Sequence, residues 1–181
     1  MTTLMGLWTD WRAQRERSRR AATYLGQLLR TPGPADGAWL RSMSVPDAVA
    51  NRELTFAKRA IGLIVAERDA LDDRTASDVA HQLAPVITRE SRSTPELGRE
   101  WGERWRSYTA ALAVRGSAES PPARLARVLL AGAGVAEPTA EQLTRATQFV
   151  LDTRGAANVV LRDVFGVATL PDDIRPSALR G

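Results

Sequence analysis

The chain has no cysteine, one histidine (His81), one lysine (Lys58), two tyrosines and three phenylalanines. Without cysteine there are no disulfides, no thiolate metal sites and no cysteine nucleophile. A single histidine excludes a multi-histidine metal centre and leaves few routes to a serine–histidine–aspartate triad. No segment approaches the roughly 18 consecutive apolar residues of a membrane span. No secretory leader is expected at the first residues, because Met1 to Trp8 has no basic stretch and the arginines follow the apolar patch instead of preceding it. The expectation is a cytoplasmic chain. One lysine among 25 basic residues reads as a coding preference for arginine, not as a catalytic lysine.

What is present is an ordinary globular composition: 181 residues, 44% hydrophobic and 25% charged. That is enough chain to bury a core without staples. The distribution of charge is more informative than its sum. Residues 1–30 carry six arginines (Arg12, Arg15, Arg17, Arg19, Arg20, Arg30) against Asp10 and Glu16, an excess of four, and the whole chain is also +4. Residues 31–181 are therefore balanced, so the body is not a generally basic, nucleic-acid-coating surface.

Apolar spacing predicts successive helices and no strands. The first runs from about Thr3 to Leu29, with apolar ends (Leu4, Leu7, Trp8 and Trp11, then Ala22, Leu25, Leu28 and Leu29) around a basic waist, and packs by its C-terminal half. The loop Thr31 to Gly37 stops it, and Trp39 and Leu40 form a short helical turn that packs back. A second helix spans Pro46 to Asp69, with Ala57, Ala60, Ile61, Ile64 and Val65 on one face. A third follows, with Thr75 and Asp78 as a capping pair and with Val79, Leu83, Val86 and Ile87 as its stripe. Pro85 should kink or split it. A fourth opens at Ser93-Thr94-Pro95-Glu96, a capping residue, a first-turn proline and a capping-box glutamate, and carries Leu97, Trp101, Trp105, Tyr108 and Leu112. A fifth opens at Ser120-Pro121 and stops at Gly132 and Gly134. A sixth opens on the capping box Thr139 to Gln142 and ends at Gly155. A short seventh covers Ala156 to Phe165, and an extended tail follows Gly166. The predicted fold is all-α, a bundle of about five to seven helices with a long N-terminal helix. The expected units are a basic amphipathic helix (1–30), a helical bundle (38–166) and the tail (167–181).

Most candidate chemistry has a plainer reading. The carboxylates Glu67, Asp69, Asp72, Asp73 and Asp78 lack the ordered alternation of a calcium loop and suit a solvated helix connection. His81 lies opposite the stripe of its helix, on the outer face. The Trp101, Trp105, Tyr108 stripe reads as core, although it is also where a ligand-binding bundle would place a cavity. No cofactor and no metal site is expected. The last residues, Ile174 to Gly181, resemble the short tails by which some cargo proteins load into encapsulin shells. That resemblance spans a few residues and carries no fold or function here.

The N-terminal segment is the candidate functional element. Leu4, Leu7, Trp8 and Trp11 with Arg12, Arg15 and Arg19 suit a docking helix whose apolar side chains enter a partner groove while arginines meet acids on its rim. The same residues 1–20 would suit an anionic membrane surface or, through the Arg12–Arg20 cluster, nucleic acid. The plain alternative is an exposed helix with both tryptophans folded onto the bundle. The expected function is non-enzymatic: an accessory or scaffold subunit that associates with a protein partner or with itself.

Overall fold

The computed structural model describes residues 2–69 and 73–166, with side chains from Trp11 onward other than those of 34, 73 and 74. The chain is all-α, and no strand occurs among the described residues. The helices are α1 (Thr2–Leu28), α2 (Pro34–Arg41), α3 (Asp47–Asp69), α4 (Asp73–Ser93), α5 (Pro95–Ala113), α6 (Pro121–Gly132) and α7 (Ala140–Phe165).

Contacts between helices define the architecture. The pairs α1–α4, α4–α5, α5–α6, α6–α7 and α7–α1 close a ring of five helices, and α3 touches every member of it as well as α2. The sequence explains why α3 is central. From Leu54 to Ala66 all but Thr55 and Lys58 are buried, so its apolar surface runs around the helix and requires neighbours on every side. The one-face stripe expected for this segment, flanked by Leu54 and Phe56, is therefore too narrow, since Leu63 and Ala66 are buried as well. Burial extends to Glu53 and Arg59, which need counter-charges to be tolerated in the interior.

Several boundaries follow the expected chemistry. Thr139 opens α7 with a reciprocal capping box, its hydroxyl accepting from Gln142 N at 3.3 Å while Gln142 Oε1 accepts from Thr139 N at 2.8 Å. Gly134, with φ +86, closes α6 in a Schellman turn: Val135 N donates to Leu130 O at 2.8 Å and Gly134 N to Ala131 O at 3.1 Å.

Others differ. Thr75 lies buried inside α4 near its start, and Asp78 turns to Arg17 instead of capping. Thr94 does precede α5, but its side chain makes no capping hydrogen bond. Pro85 is exposed within α4 and does not split it, because α4 is held along its length by α1, α3 and α5. Gly155 does not end the sixth helix, and the two expected segments are one continuous α7. The roughly 1 kcal/mol that a mid-helix glycine costs is outweighed by burial of Val150, Ala157 and Leu161 on either side of it. The tail from Val167 lies outside the described residues, as do Asp72 and the side chain of Asp73.

Candidate N-terminal docking strip

Helix α1 shows two faces. Its buried residues are Ala21, Tyr24, Leu25 and Leu28, which join the cluster formed with α3 and α7. Leu25 and Leu28 are buried as their spacing predicts and Leu29 packs against the core, whereas Ala22 is exposed and Ala21 is buried in its place. Tyr24, which the apolar spacing did not single out, donates its hydroxyl to Gly62 O at 2.8 Å and meets Phe165 edge-on at 6.4 Å. Gly62 is itself required there, because a Cβ would overlap the Leu28 side chain.

The basic waist is also attached. Gln82 Nε2 donates to Ser18 O at 2.6 Å, and Arg17 lies 3.9 Å from Asp78, so α4 grips the helix a full turn before the apolar half begins. The described contacts of α1 with the bundle thus begin a turn before Ala22, at Arg17 and Ser18, within the C-terminal half expected to pack.

The opposite face carries the candidate site. At 100° per residue, Trp11, Arg15, Arg19 and Arg12 form a strip centred roughly 140° from the packing face. Trp11 is 54% exposed, and the Arg15 guanidinium sits 5.2 Å from the centroid of its ring. Arg12, Arg15 and Arg19 are all exposed, and Arg20 pairs with Glu16 at 3.1 Å. Trp11 is thus not folded onto the bundle. The side chains of Leu4, Leu7 and Trp8 lie outside the described residues. By helical register, positions 4 and 8 continue the outer strip, whereas position 7 falls on the packing side.

Elsewhere, polar groups serve the architecture. Arg104 donates to both oxygens of Glu53, at 2.7 and 3.1 Å, and its guanidinium also reaches Gly132 O at 3.3 Å. Its proton is held more tightly by the Glu53 hydrogen bond, against the opposing effect of burial. Arg59 makes an equivalent two-pronged contact with Glu90 at 2.6 and 2.8 Å. These pairs tie the central helix to α5 and α4. Neither pattern is visible in local sequence, because the partners lie 51 and 31 positions apart.

Tyr108 is fully buried beside the first pair, and burial, with Glu53 nearby, raises its pKa well above the ordinary phenol value. Trp101 stacks on Trp105 at 6.1 Å and leans on Phe56 at 5.8 Å, so ring packs on ring along the aromatic stripe. His81 is exposed, as its wheel position implied. Asp69 lies 3.8 Å from Arg154, and no group of three metal-ligating side chains occurs among the described residues. Among the described residues no helix is long and apolar enough to cross a membrane.

No family model, curated protein or solved structure matches the chain.

Proposed function

We propose that this protein is a non-enzymatic accessory or scaffold subunit that docks to a protein partner through the outer strip of α1. The observation carrying this reading is the position of Trp11. A half-exposed indole stacked by Arg15 shares a strip with Arg12 and Arg19, on the side of the helix turned away from the bundle. Tryptophan and arginine are the side chains that most often anchor protein interfaces, giving large area with a directional polar edge. A helix laid in a groove lined by acids would bury the indole and pair the guanidinium groups at its rim.

A protein partner is favoured over nucleic acid by the state of the cations. Arg17 and Arg20 are engaged with Asp78 and Glu16, and Arg15 covers an aromatic ring. Few are left for a run of phosphates, and the body has no net charge to extend such a surface.

The test is affinity capture from native lysate with the full chain and with the double variant Trp11→Ala/Arg15→Ala, read by mass spectrometry. A protein retained by the full chain and lost from the variant is expected, and it should survive nuclease treatment. Identical capture by both chains sinks the proposal. Loss of all capture on nuclease treatment transfers the strip to nucleic acid.

A further inference from the structure

Along the inward run of α3 stand the buried Glu53 and Arg59 and the half-buried Lys58, and they are not treated alike. Glu53 and Arg59 each meet a side chain of opposite charge through two hydrogen bonds. Lys58 does not. Its ammonium donates to a backbone carbonyl, Arg30 O, at 3.1 Å, and no carboxylate lies within ion-pair distance among the described residues. A lysine ammonium has three hydrogens to donate, so two remain available.

Lys58 borders a cavity of about 380 Å³ between the end of α1, the middle of α3 and the inner side of α7. That volume falls in the range of small-molecule sites, which are largely apolar with a few placed polar groups. The sequence explains the gap. Along α7 the facing residues are Thr153, Ala156 and Ala157, too short to reach Leu28, while Phe149 and Val160 close the two ends. Two acids also border the space, but each has a hydrogen-bond donor. Asp36 Oδ2 accepts from Gly33 N at 2.8 Å, and Asp152 Oδ1 accepts from Gln148 Nε2 at 2.8 Å. Arg30, at the rim, adds a second cation.

We propose that this cavity binds a small amphipathic carboxylate, its head on Lys58 and Arg30 and its apolar body along Leu28, Phe149, Ala157 and Val160. A carboxylate is the ligand chemistry that would give Lys58 what Glu90 of α4 gives the buried Arg59, namely a compact anion accepting hydrogen bonds. The apolar wall selects a chain or ring over a free inorganic anion. The site is independent of the α1 docking strip, which lies on the opposite face of that helix.

The test is calorimetric titration of the full chain with decanoate, with decanol and decyltrimethylammonium as comparison probes. One decanoate per chain is expected, with decanol at least tenfold weaker and the cation not bound. Lys58→Met should weaken decanoate at least tenfold, and Lys58→Arg should restore most of the affinity. Lys58 also supports the end of α1, so a second variant keeps the test independent of folding. Ala156→Phe, at an exposed position on the cavity rim, should abolish binding while leaving the melting temperature in place. Equal binding of decanoate and decanol overturns the assignment of an anion. No binding of any probe, or undiminished binding by Ala156→Phe, overturns the site.

Discussion

Glycine 132 and the two tyrosines show how closely single residues are fitted to the charged interior. A Cβ at Gly132 would overlap Glu53 Oε2 and Arg104 Nε, so the end of α6 can approach that pair only because the position has no side chain. Gly132→Ala should displace the pair and destabilise the protein by about 1–3 kcal/mol, the usual range for overpacking, measured as a shift in the denaturant midpoint. An unchanged midpoint would mean that α6 moves aside at no cost. The tyrosines give a second measurement. Burial raises the pKa of Tyr24 and of Tyr108 above the ordinary value of 10.0. A folded-state pKa above the unfolded one gives stability that is complete below pH 10 and lost as pH rises beyond it. Tyr24 and Tyr108 are the only tyrosines in the chain, so no phenolate should form in the folded protein near pH 10. Both should ionise together with the loss of helix at higher pH, seen by absorbance at 295 nm alongside circular dichroism. Phenolate appearing while the helical signal is intact would place one ring in water.

At the scale of the element, α7 separates what a local pattern encodes from what packing decides. Its start is legible because Thr139 and Gln142 satisfy each other's backbone within four residues. Its continuation through Gly155 is not, because the local preference of glycine is overridden by Ala157 and Leu161 further along the same stripe. Gly155 is exposed, is not at a positive φ, and has open space where a Cβ would stand. Gly155→Ala should therefore stabilise α7 by about 0.5–1 kcal/mol, through lower backbone entropy in the unfolded chain and better helix propensity. A drop in melting temperature would show that α7 is strained there. On α1 Leu25 and Leu28 face inward as their spacing predicts, and the one departure is at the alanine pair before them. Ala21 and Ala22 are identical in type, so residue type does not say which faces inward; Ala21 shares the buried face with Tyr24, whose hydroxyl finds Gly62 O, and with Leu25 and Leu28. Aromatic spacing on α5, in contrast, pointed correctly inward for Trp101 and Tyr108, since large rings at helical intervals have few other places to go.

At the scale of the whole molecule, five helices closed around α3 bring together segments distant in sequence, and α1 is held by α4, by α7 and by α3 itself. That closure was not legible, because it rests on pairings between non-neighbouring helices and on ion pairs reaching across tens of residues. What was legible was the imbalance of charge in the first 30 residues, which the fold now divides between two faces of one helix. The division sets where the docking segment can be cut away. Deleting residues 1–20 would remove Ser18 and Arg17, and with them the contacts to Gln82 and Asp78. Deleting residues 1–13 leaves those contacts and the buried Ala21, Tyr24, Leu25 and Leu28 in place while removing Trp11 and Arg12. The shorter truncation should then melt within about 3 °C of the full chain, since a loss below 1 kcal/mol shifts a domain of this size by no more than that. The longer truncation should melt measurably lower. If the short deletion lowers the melting temperature as much as the long one, residues 1–13 belong to the fold and the outer strip is structural. If it leaves stability intact and association is lost with it, then the outer strip needs its part before Gln14 for recognition, while the contacts from Arg17 onward hold α1 to the bundle.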